Sequence, residues 1–168
     1  MIDHMLGCLS PRRSGLLLVC FLPFAYSDTV PTPAVNPQGA TTAERAIIAE
    51  SFVAEKLWFW QTRLTLREWN VSVIFARKSD LKPKTLGNIH WDNDKKTAII
   101  RVLDPADYRM PFQDMLDDME FTVVHELIHL EFAPALSQFS RSDASRRDEE
   151  HAVNHVASAL IKLQHDSK

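Results

Sequence analysis

Apolar residues along the chain first recur at helical spacing from Thr41 to about Leu66. Ile47, Ile48, Phe52, Leu57, Phe59, Trp60 and Leu64 make a broad face there, and Trp58 and Trp60 are assigned to the core. Thr41 followed by Glu44 is a capping box, which marks the start of this helix. The period then drops to two: Trp69, Val71, Val73 and Phe75 alternate with Asn70, Ser72 and Ile74, as in a strand with one buried side. Leu86 to Trp91 and Thr97 to Leu103 read as two more strands, joined by a turn at Asp92-Asn93-Asp94-Lys95. From Met119 to Ala133 apolar residues cover nearly the whole circumference of a helix, the pattern of a helix buried on all sides. Asp117 or Asp118 is its expected cap, and Pro134 its expected end. A last helix runs through residues 146–157, capped by Ser142 or Asp143, with Ala152, Val153, Val156, Ala159 and Leu160 as its packing stripe. The strands are not interleaved with long helices, and the chain shows no internal repeat. The pattern predicts an α+β fold with an N-terminal helix, a small mixed or antiparallel sheet, and two C-terminal helices.

The buried helix carries His125-Glu126-Leu127-Ile128-His129. Histidines at i and i+4 point from one helix face and can hold one zinc ion, while the glutamate between them serves as a base toward water. Two histidines and a carboxylate are costly to bury unless something binds them. Water activated by a metal beside such a base is the machinery of peptide hydrolysis. A catalytic zinc site takes three protein ligands, so a third must lie elsewhere. No histidine falls between His129 and His151, but the last helix brings Glu149 and Glu150. Glu150 shares a side with Val153, Ala157 and Leu160 and is the first choice, with Glu149 the alternative; Asp148 and Glu149 otherwise read as solvated acids of a first helical turn. His151 and His155 form a second i,i+4 pair, read as surface or rim residues.

HELIH with Glu150 21 residues after His129, and Asn154 one turn further on, resembles the gluzincin arrangement of zinc peptidases. The stretch EEHAVNHVASAL is similar to the third-ligand helix of small single-domain zincins, and the likeness spans roughly residues 43–165. The order is that of a minigluzincin-like metallopeptidase. The extended metzincin pattern is excluded, because Phe132 and Ala135 stand where it needs glycine and histidine. The resemblance implies a zincin-like α+β fold, Zn²⁺ held by His125, His129 and Glu150, and Asn154 supporting a ligand histidine. It also implies Glu126 as general base and a sheet edge above the active-site helix that pairs with an extended substrate. Thr97–Ile100 is the first choice for that edge, with Gly87-Asn88-Ile89 the alternative. Tyr108 and His155 are the candidates to stabilise the tetrahedral oxyanion. The alternative reading is a metal-stabilised, non-catalytic or regulatory binding module; the intact Glu126 and the lack of a fourth His or Cys ligand argue against it.

Composition sets the remaining bounds. The 168 residues suffice for one domain, expected over 41–168. Arg12 and Arg13 precede the apolar run from Leu16 to Phe24, and Ala25-Tyr26-Ser27 offers a cleavage site. Residues 1–27 therefore read as a secretory signal, too short to span a membrane, and 28–40 as a Pro-rich linker. The expected location is periplasmic or extracellular if that signal operates, and cytoplasmic otherwise. Both cysteines, Cys8 and Cys20, lie in this segment, so the domain beyond it has no disulfide and no cysteine nucleophile. The motif implies a peptide or protein substrate, and a net charge of -3 without a long basic block argues against nucleic acid.

Overall fold

In the computed structural model, which describes residues 40–83 and 85–167, the first helix α1 spans Thr42–Arg63. Its capping box forms as expected: Thr41 Oγ1 accepts from the Glu44 N–H, and Glu44 Oε2 accepts from the Thr41 N–H at 2.7 Å. The expected signal, 1–27, and the expected linker as far as residue 39 lie outside the described residues. α1 closes with paired bonds from Leu66 N–H to Gln61 O and from Thr65 N–H to Thr62 O, with Thr65 in the left-handed region at φ 58°. Ala49, Val53 and Trp60 are the buried ridge. Ile47 and Trp58 do not join it, contrary to the sequence expectation, and both are 67% exposed. Eleven residues apart, they share a face, and that face lies roughly 120–180° round the helix from Ala49 and Val53.

Three strands follow, β1 (Asn70–Ala76), β2 (Gly87–Asp92) and β3 (Thr97–Leu103), in the order β1-β3-β2. β1 runs parallel to β3 and β2 antiparallel to it, so the sheet is mixed. The alternation read from the sequence is present: Val71, Val73 and Phe75 pack inward beside Ala98, Ile100 and Val102, while Ile74 and Ile99 face outward. β3 is the central strand, which overturns the choice of Thr97–Ile100 as a substrate-binding edge, since its main chain is paired on both sides. Sequence order gave no hint of this, because the strand last in the chain inserts between the other two. The edges belong to β1 and β2, and β2 is the edge beside the HELIH helix.

α2 (Phe112–Leu136) lies between α1, the sheet and α3 (Asp143–Asp166), and packing on every side accounts for its apolar circumference. It starts earlier than Asp117 or Asp118 because Phe112, Met115, Leu116 and Met119 extend the same 3–4 spacing upstream, with Pro111 at the cap. Nor does it stop at Pro134. That proline sits in the last turn on the exposed side, where the bond it cannot donate is one the frayed end can lack, and Ser137 N–H still reaches Ala133 O. α3 is capped by Ser142 with Ser145 in a reciprocal box. Val153, Ala157, Leu160 and Ile161 make its inner ridge, whereas Ala152, Val156 and Ala159 of the expected stripe face solvent. Among the described residues no helix is long and apolar enough to cross a membrane.

Candidate metal centre

α2 and α3 run antiparallel past each other, and the contact brings HELIH against Glu149, Glu150 and Asn154. His125 Nε2 and His129 Nε2 face one another at 3.0 Å. The Glu150 carboxylate lies 3.4 Å from each of them, one oxygen to each ring. These three side chains form a cluster whose ligand atoms all lie within 4.8 Å of one another.

The far sides of both rings are engaged. His125 Nδ1 meets Asn154 Oδ1 at 3.1 Å, and His129 Nδ1 meets a Glu149 oxygen at 2.9 Å. An amide oxygen and a carboxylate can only accept, so each Nδ1 carries a proton and, in the neutral rings, each Nε2 turns a bare lone pair inward. Two imidazole lone pairs and a carboxylate then converge with no donor among them. Such an arrangement repels itself unless a cation sits within it, and the residues fit a divalent ion of the zinc type.

Glu150 and Glu149 exchange the environments expected of them. Glu150 remains 57% exposed in its side chain, because at its level the inner side of α3 looks over an open cleft rather than a packed layer. Glu149, read as a solvated acid of the first turn, is only 10% exposed; Arg141 forms an ion pair with one of its oxygens and His129 takes the other. Arg141 in the preceding loop, the signal that might have drawn attention to Glu149, lies too far away in sequence to be read as its partner. Tyr108 and His155 are not brought to the cluster. The Tyr108 hydroxyl donates to Asp118 at 2.8 Å, and His155 packs its ring on that of His151. Neither lines the cleft.

The cleft has a volume of about 490 Å³ and passes between β2 and α3 with HELIH as its floor. Leu103 N–H bonds to Leu86 O, and from this pair the antiparallel alternation directs the main-chain groups of Gly87, Ile89 and Trp91 away from β3. No other described strand pairs with that edge. Gly87 is required by the close approach of β2 to α2: a Cβ there would stand 2.4 Å from Thr122 Cγ2 and 2.7 Å from the Arg101 carbonyl oxygen. Asn88, also in the cleft wall, has a buried Oδ1 with no donor among the described residues.

Glu126 is buried beside Gly87, and burial, followed by repulsion from Glu150, pushes its carboxyl up to about 8. Burial and then the neighbouring His129 hold His125 below the usual imidazole value. These shifts have opposite consequences for the metal-free protein. Folded Glu126 keeps its proton up to about pH 8, whereas the unfolded chain releases it near 4.5, so stability falls as pH rises through that window. His125 acts in reverse, its contribution being lost as pH falls below 6.5. Of these two effects, only that of Glu126 operates between pH 6.5 and 8. Denaturant titrations of the metal-free protein should show a loss of about 2 kcal/mol over that range, and Glu126→Gln should flatten the slope. A level stability in the parent would contradict the burial of this carboxyl.

No family model matches the chain, and neither a curated protein nor a solved structure matches it.

Proposed function

We propose that this chain is a zinc-dependent metallopeptidase of the gluzincin type on a zincin-like fold. His125, His129 and Glu150 hold the ion, and Glu126 is the general base. One observation carries the reading: two inward lone pairs and a carboxylate meet without a donor, beside a buried glutamate, on the floor of an open cleft. A purely structural site has no use for that glutamate and closes its fourth position with another side chain.

Bound zinc supplies Lewis acidity, polarising a scissile carbonyl and making water a nucleophile near neutral pH. The rest falls to the chain. Glu126 takes the proton from the attacking water and delivers it to the leaving amine, two transfers for which a carboxyl with raised proton affinity is suited. Asn154 and Glu149 hold the imidazoles so that both lone pairs stay aimed. An extended peptide adds to β2 through the free main-chain groups of Gly87, Ile89 and Trp91.

Metal content is the first test. The purified chain should contain zinc near one equivalent, and Glu150→Ala should weaken zinc binding by at least about 100-fold in a chelator competition, beyond the range seen when a supporting residue is lost. A parent that takes up no zinc on loading would end the peptidase reading.

A further inference from the structure

The cations of the cleft point to its substrate. Arg141, Arg146 and Lys82 line the walls. Arg141 is paired with Glu149. Arg146 belongs to the inner ridge of α3, since Arg146, Val153 and Leu160 recur every seven residues and the latter two pack into the core. At its own level that ridge has passed the edge of the core and faces the cleft. The two carboxylate neighbours of Arg146 on the next turn are taken: Glu149 by Arg141 and His129, and Glu150 by its place in the metal cluster. Glu150 is the i+4 neighbour with which Arg146 would ordinarily pair. Among the described residues, Arg146 has no ion-pair partner.

The charge balance of the loaded site sharpens the point. Glu126 and Glu150 offset a divalent ion, and Glu149 offsets Arg141. Among the described residues, Arg146 on one wall and Lys82, in the segment leading into β2, are then the uncancelled charges of the cleft.

We infer that Arg146 is an anion subsite that selects peptides carrying a carboxylate close to the bond to be cut. This rests on the peptidase reading of the same cleft. Arg146 lies four residues, about 6 Å along the helix axis, from Glu150. An extended peptide advances about 3.4 Å per residue, so the carboxylate belongs within about two residues of the scissile bond. A guanidinium is the group for this task, because its fork of donors meets both oxygens at once. The carboxylate can come from an Asp or Glu side chain or from the peptide's own C-terminus, and the experiment separates the two.

The test is binding of fluorescent N-acetylated peptides to the zinc-loaded full chain carrying Glu126→Gln, with cleavage by the native chain measured in parallel. Peptides are compared in Glu/Gln pairs at each position and as free acid against C-terminal amide. The charged member of a pair should bind about 10- to 100-fold tighter, as befits hydrogen bonds to an ion. A difference in the Glu/Gln pairs assigns the side chain, and one confined to the acid/amide pair assigns the terminus. Arg146→Gln should erase the difference, Arg146→Lys should keep part of it, and Arg146→Glu should turn the preference toward lysine-containing peptides. Zinc content and melting temperature serve as controls, and the paired peptides on the parent decide the matter should a variant fail to fold. Equal binding within every pair, or no binding at all, overturns the subsite. So does a preference that survives Arg146→Gln with zinc retained, since the metal or Lys82 would then be its source. Carboxylate-selective binding without cleavage of any peptide would leave the subsite standing and sink the peptidase reading. Cleavage indifferent to carboxylates would do the reverse.

Discussion

Glu126→Gln should retain zinc at the level of the parent and lose peptide hydrolysis by a factor of about 10³, within the range that general bases contribute. Retention is expected because Glu126 is not among the three side chains whose ligand atoms converge. The amide is also nearly isosteric with the carboxyl in a buried position against Gly87 and Thr122. It cannot accept a proton from water, so the loss should appear in kcat with little change in KM, the signature of an interaction made in the transition state.

This result separates the peptidase from a metal-stabilised binding module on the same fold. A module that only needs the ion for its shape would be indifferent to Glu126→Gln, or would be stabilised by it, because an ionisable group is removed from a buried position. Full activity in a preparation free of parent protein would remove Glu126 from the chemistry. A pH profile adds a second reading. The ascending limb of kcat/KM in the parent reports the ionisation of the base in the zinc-loaded site, where the cation favours the charged carboxylate. That limb should therefore lie well below the value of about 8 that burial gives the metal-free protein.

The parts of the molecule legible in the sequence were those written in local spacing. The i,i+4 histidines, the Thr41–Glu44 box and the turn after Asp92 each depend on residues a few positions apart, and each stands where the sequence indicated. Asn154 against His125 was reachable as well, through the four-residue step from Glu150. Relations between elements were not. Nothing in the strand sequences distinguishes a central β3 from a central β2, since both alternate and both carry apolar residues on one side. The depth of a helix face also depends on what covers it. Glu150 lies on the side of α3 that further along is packed, yet it overlooks a cleft, while Glu149 is covered by an arginine from another segment. The limits of α2 were misread for a related reason: proline and aspartate signals describe an isolated helix, and tertiary packing carried this one past both.

The largest effect on stability is expected away from the cleft, at Glu120. This carboxylate is 3% exposed in its side chain and lies on α2 five residues before His125, where it meets Lys56 of α1 at 2.7 Å and accepts from Trp60 Nε1 at 2.8 Å. It ties α1 to the helix that carries HELIH. Glu120→Ala would leave the Lys56 ammonium, itself 14% exposed, without a counter-charge and the indole N–H without an acceptor. Removing one partner of a buried pair costs about 3–5 kcal/mol, a large share of the stability of an ordinary domain. The melting temperature should fall by about 10–20 °C. The cost belongs to the orphaned charge more than to the lost attraction, and a double substitution can show this. In Lys56→Met with Glu120→Gln, no charge remains and the glutamine still accepts from Trp60, so most of the stability should return. A double variant as unstable as the single one would mean that the attraction itself, and not the uncompensated lysine, holds α1 to α2.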